Sequence, residues 1–162
     1  MNDKKLENDL RYFDGHAIIR ELKNSCSEIT TGPGIYFVFR SNKEGRPEFL
    51  SKGSGGRHKG KDLNYFVEEL EAKWIDNENI LYIGKTDDSL RSRIRTYMKF
   101  GTGKDVPHRG GRAIWQLPDS DDLIVAWKEL PKNVSAREIE AKLIQEFKDT
   151  HNGKHPFANW VD

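Results

Sequence analysis

Three short apolar runs decide what this chain can fold into. Ile35-Tyr36-Phe37-Val38-Phe39, Ile80-Leu81-Tyr82-Ile83 and Leu123-Ile124-Val125-Ala126-Trp127 are rich in β-formers and too short for helices. Runs of this kind read as buried strands, and Gly32-Pro33-Gly34 supplies a turn before the first. Helical patterns separate them. Leu63, Phe66, Val67, Leu70 and Trp74 recur at helical spacing behind Asp62, a candidate N-cap. Leu90, Ile94, Tyr97 and Met98 share one face behind Ser89, and a last helix spans Ala136 to Asp149 before Gly153 and Pro156. Ile18, Ile19 and Leu22 hint at one further short helix, while Ala113–Leu117 is too short for periodicity to decide. The order predicts a small sheet covered by helices. At 162 residues one domain is expected, with residues 1–31 as an N-terminal arm.

Charge is distributed unevenly. Net charge is only +1, yet Arg40–Lys61 holds seven Lys/Arg against two acids and Lys85–Arg112 eight against three. Two basic blocks in a near-neutral chain point to a localised anionic partner, nucleic acid foremost; ordinary surface charge explains the composition equally well. The glycine-rich stretch Ser51–Gly60 within the first block reads as a mobile loop whose cations contact phosphates. No apolar run approaches a membrane span. A single cysteine, Cys26, excludes an internal disulfide and any multi-cysteine zinc site. The opening MNDKKLENDLRYFDG lacks the apolar stretch of a secretory leader, so a cytoplasmic protein is expected.

The last helix carries the sharpest signal. At about 100° per residue, Ala136, Ile139, Leu143, Ile144 and Phe147 form one apolar stripe, and Glu140 falls inside it. Glu138 points to water and completes a capping box with Ser135. A carboxylate on a core face costs several kcal/mol unless paired, protonated or metal-bound. The structural alternative is a glutamate satisfied by an internal arginine.

Other motifs fail. Gly84-Lys85-Thr86 lacks the upstream glycine of a phosphate loop, since position 79 is Asn, and Gly103-Lys104 precedes Asp105 where Ser or Thr is required. His151 and His155 flank Gly153 without cysteine partners, which reads as solvated histidines near a helix end. No Gly-x-Ser-x-Gly supports covalent hydrolase chemistry.

What remains is a set of tyrosines, an arginine and a glutamate, and here the sequence resembles the GIY-YIG nuclease family. Gly34-Ile35-Tyr36 and Tyr82-Ile83-Gly84 supply the two signature triplets, each on an expected strand. Leu90-x-x-Arg93-Ile94-x-x-Tyr97 looks like the family's catalytic-arginine helix; helical angles alone do not separate Arg93 from Arg91, and the family phasing selects Arg93. Glu140 matches the metal-binding glutamate, and Pro156-Phe157-Ala158-Asn159 the closing Pro-x-x-Asn. His108, before Gly110-Gly111-Arg112, corresponds to a histidine that some members place near the phosphate. Compact members separate the triplets by only about ten residues, so residues 41–79 stand out as an insertion.

The resemblance implies an α+β fold with a three-stranded antiparallel sheet flanked by helices. It implies an endonuclease acting on nucleic acid, DNA before RNA, with one Mg²⁺ (or Mn²⁺) on Glu140. One carboxylate is too little for a symmetrical two-metal clamp but enough for a hydrated single ion. Arg93 would engage the scissile phosphate through its planar fork. Tyr36, or Tyr36 with Tyr82, would orient or deprotonate the attacking water. Lys85 would support the phenol or contact phosphate, as would Tyr97 and His108, and Asn159 would hold a tyrosine or metal-bound water. The competing class is a nucleic-acid-binding module that keeps the fold without turnover. Oligomeric state stays open, and no membrane partner is expected.

Overall fold

All six residues of one strand, Gly34–Phe39, are buried, because it runs between two others. The computed structural model describes residues 3–41, 45–55, 57–108 and 110–160. In chain order its elements are α1 (Asp3–Leu10), β1 (Gly15–Ile18), α2 (Ile19–Asn24), β2 (Gly34–Phe39), β3 (Arg57–His58), β4 (Lys61–Asp62), α3 (Val67–Lys73), β5 (Ile80–Thr86), α4 (Leu90–Gly101), β6 (Ile124–Glu129) and α5 (Ala136–Asp149). The main sheet has the order β1-β6-β2-β5 and is antiparallel throughout. It therefore has four strands where three are expected from sequence. The fourth, β1, is only the four residues Gly-His-Ala-Ile at an edge, too short to give an alternating signal.

Alternation along β2 divides the interior into two layers. Tyr36 and Val38 face a cluster that includes Leu90, Ile94, Tyr97 and Met98 of α4 and Ile19 and Leu22 of α2. Ile35, Phe37 and Phe39 face the other way, against Ala136, Ile139, Leu143 and Ile144 of α5 and Leu6 and Leu10 of α1. The expected N-terminal arm is thus α1, β1 and α2, packed into both layers. The α4 and α5 boundaries agree with the sequence pattern, and the caps explain why. Ser89 accepts from Ser92 N–H at 3.2 Å, and Ser135 accepts from Glu138 N–H at 3.2 Å.

Two local expectations are corrected, and one segment left undecided by periodicity is resolved. Asp62 lies in β4, not at a helix N-cap; its carboxylate takes the Asn64 N–H at 2.9 Å, an Asx turn, and α3 starts only at Val67. Residues 112–116 form a 3₁₀ helix, in which Ala113, Ile114, Trp115 and Gln116 are buried. The glycine-rich stretch is not a loose loop: β3 and β4 pair as a hairpin whose turn residues Lys59 and Gly60 both have positive φ (52° and 74°). Asp105 ties it down by accepting from the Lys59 N–H at 3.0 Å and engaging His58 Nδ1 at 2.6 Å. No described helix is long and apolar enough to cross a membrane.

Candidate active site at the edge of the sheet

The site forms where β5, the edge strand, runs beside β2. Tyr36 pairs across the ladder with Gly84, and Val38 with Tyr82. The rings of Tyr36, Tyr82 and Tyr97 form a triangle with centroid separations of 5.9–6.2 Å. Gly84 makes room for it: a β-carbon there would lie 2.6 Å from Tyr36 Cζ, 2.7 Å from Tyr82 Cε2 and 2.8 Å from Tyr36 Oη. Both tyrosines are buried, as a purely structural role would also have them.

Their surroundings differ, however. Burial pushes the Tyr36 phenol up, while the Arg93 guanidinium and the Tyr82 hydroxyl beside it pull the other way. Tyr82 is pushed well above the usual phenol value, by burial first and by Tyr36 next. Tyr36 is therefore the better placed of the two to hold negative charge. Among the described residues its Oη nevertheless makes no hydrogen bond of good geometry, and neither does the buried Nε of Arg93. Two adjacent buried polar groups that make no well-formed hydrogen bond are costly to fold, which marks them as poised for a ligand.

The two arginines at the start of α4 separate cleanly. Arg91 Nε donates to the Ile29 carbonyl and its Nη2 to the Ser27 carbonyl, each at 2.8 Å, so it staples the preceding loop. Arg93 faces Tyr36, Tyr82 and Glu140 electrostatically. Glu140 reaches the same edge from α5. It is partly buried, and burial is the main cause of its raised pKa; Asp87 raises it further, while Lys85, Arg93 and Arg137 draw it down. Among the described residues it makes no hydrogen bond or ion pair, and Arg93 and Arg137 act on it only electrostatically. Lys85 Nζ instead pairs with Asp87 Oδ2 at 2.6 Å. Asp87 was not singled out from sequence, although an acid just past a strand end beside a lysine is a usable signal.

The remaining expected site residues act at one remove. Tyr97 is fully buried and donates to the Gly111 carbonyl at 2.7 Å. His108 stacks on Tyr97 at 4.4 Å and is 1% exposed; burial and Arg93 lower its pKa to about 3, so it is a neutral ring and not a cation for a phosphate. Asn159 accepts from Ile83 N–H and donates to Ile83 C=O, both at 2.9 Å. With Ala158 N–H bonded to the Leu81 carbonyl at 2.8 Å, it closes the open edge of β5 between the site's Tyr82 and Gly84. The asparagine thus holds the strand, where the sequence suggested a tyrosine or a water.

Residues 65–154, more than half of the chain, match the family model of the GIY-YIG catalytic domain. The chain belongs to the GIY-YIG family. The matched stretch carries Tyr82, Arg93 and Glu140, while Tyr36 and Asn159 lie outside it. No curated protein and no solved structure matches the chain. GIY-YIG nucleases cleave nucleic acid and are generally divalent-metal dependent. Among the described residues no three His, Cys, Asp or Glu side chains gather in a metal cluster. A divalent ion here would take one free carboxylate, Glu140, and water for the rest, a donor set that suits Mg²⁺.

Proposed function

We propose that this chain is a divalent-metal-dependent endonuclease that hydrolyses phosphodiester bonds, most naturally in DNA, at the β5 edge. The single observation that carries this reading is the convergence there of three unspent groups: the Tyr36 hydroxyl, the Arg93 Nε–H and the Glu140 carboxylate. Arg93 binds the scissile phosphate and neutralises the charge that grows on it during attack. Tyr36 positions the attacking water, with the Tyr82 hydroxyl and Arg93 favouring any negative charge it acquires. Glu140 would hold one Mg²⁺ or Mn²⁺, which as a Lewis acid would ease attack at phosphorus and departure of the leaving oxygen. Lys85, tethered by Asp87, adds positive potential beside Glu140. Tyr97 and His108 fix the Gly110-Gly111 segment against the tyrosines. Residues 1–162 act as one cytoplasmic nuclease domain, with 41–79 as the insertion that shapes substrate choice.

The test is incubation with labelled single-stranded, duplex, bulged and branched DNA and matching RNA, with Mg²⁺ and with EDTA. Metal-dependent cleavage of at least one form is expected. Binding without cleavage of any form would instead identify a non-catalytic nucleic-acid module on the same fold.

A further inference from the structure

A cavity of about 410 Å³ opens beside Tyr82 and Asn159, and apart from Tyr82 its walls come from segments outside both signature triplets. Tyr65 and Trp160 stack at 3.7 Å with 19° between their planes, making an aromatic wall. Arg112 Nη2 donates to the Tyr65 hydroxyl at 2.9 Å, while its Nε is buried and has no acceptor among the described residues. The wall is built, not incidental. The buried Gln116 accepts from the Tyr65 N–H and donates to the Tyr65 carbonyl, both at 2.9 Å, and Trp160 Nε1 donates to the Phe157 carbonyl at 3.1 Å. One side of the cavity is bare backbone, with Gly111 at φ 71°.

We infer that this cavity receives one unpaired nucleobase next to the phosphodiester bond to be cleaved. Its volume falls within the range of small-ligand sites. Tyr65 and Trp160 cover one face of each other, with the Arg112 guanidinium over Tyr65 and the Lys73 ammonium over Trp160 at 5.1 Å each, so a base would meet a mixed aromatic and cationic surface, and the Arg112 Nε–H offers a donor to acceptors on the base edge. A base locked in a duplex is stacked on both faces and could not enter; only a single-stranded, bulged or extruded nucleotide fits. Sharing Tyr82 with the candidate active site puts this base within a nucleotide or so of the phosphate at Arg93. The inference rests on the nuclease reading of that edge, and it deepens it: the substrate class is nucleic acid with an unpaired nucleotide beside the cut.

The experiment measures binding by fluorescence anisotropy in EDTA, using the full chain and a DNA duplex with a one-nucleotide bulge. A matched duplex carries an abasic analogue at the bulge, and an RNA pair repeats the comparison. Removing the bulged base is expected to weaken binding by about tenfold, the order of one lost base–aromatic stack. In Arg112→Met and Trp160→Leu the two probes should bind alike, and 2-aminopurine at the bulge should be quenched by the wild-type chain only. Circular dichroism checks that each variant is folded, and either folded variant suffices. Equal wild-type affinity for the two probes in both nucleic acids, a penalty that survives in a folded variant, or no binding of any probe overturns the inference. Base discrimination without cleavage would overturn the nuclease reading alone; cleavage without discrimination would overturn only the base site.

Discussion

Tyr36 of the first triplet stands directly across the ladder from Gly84 of the second, and its hydroxyl occupies the space that a side chain at position 84 would need. The two triplets are thus one device: the glycine of one makes room for the tyrosine of the other. Replacing Gly84 by Ala should force Tyr36 and Tyr82 out of register, at a cost of roughly 1–3 kcal/mol for overpacking. Turnover should fall further than stability does. Chemical denaturation and single-turnover cleavage, measured on the same variant, check this.

Arg91 and Arg93 should separate by readout. Arg91→Ala removes two hydrogen bonds to the Ile29 and Ser27 carbonyls and should lower the melting temperature while sparing the rate at saturation. Arg93→Ala should cut turnover by on the order of 10³ or more, as lost transition-state charge stabilisation does. Kinetics and thermal melts of the two variants decide the matter; a reversed ranking would place the phosphate at Arg91.

His108 predicts an acid limb in stability. Its folded pKa of about 3 lies below the ordinary 6.5, so the unfolded chain takes up a proton that the folded chain refuses. The stability this confers is complete above pH 6.5 and is lost as pH falls toward 3. The slope is up to about 1.4 kcal/mol per pH unit from this one group. His108→Gln should flatten that part of the urea-denaturation profile relative to wild type.

Glu140 predicts a complementary effect. Burial raises its pKa, so the ionised carboxylate destabilises the metal-free fold at neutral pH. The protonated form is favoured below the unfolded pKa, and that advantage is gone once pH rises through the folded value. Glu140→Gln should therefore melt higher than wild type at pH 7 without metal, with the gap closing as pH falls through the carboxylate's raised pKa. An internal ion pair would give the opposite sign.

Much of this was legible because strong local signals and tertiary need agreed. β2 is a continuous apolar run because it is sandwiched, and Glu140 stood out because a carboxylate on an apolar stripe needs a partner, a proton or a metal. Arg93 could not be told from Arg91 by helical phase, since the loop carbonyls that consume Arg91 come from a segment over sixty residues away. The same holds for Asn159, whose target is the backbone of Ile83, and for Gln116, which holds Tyr65. The hairpin at Lys59-Gly60 was hidden because its strands are two residues each and its anchor, Asp105, is remote. The Tyr65–Trp160–Arg112 wall left no pattern at all in the sequence, because three distant segments build it.

The most direct test of the central claim is cleavage of a labelled bulged DNA duplex by wild type and Glu140→Gln across a Mg²⁺ titration, with EDTA as the zero point. The account predicts saturable, metal-dependent cleavage by wild type and none by the folded variant at any Mg²⁺ concentration. Cleavage by Glu140→Gln at the wild-type rate, with the same metal dependence, would contradict it.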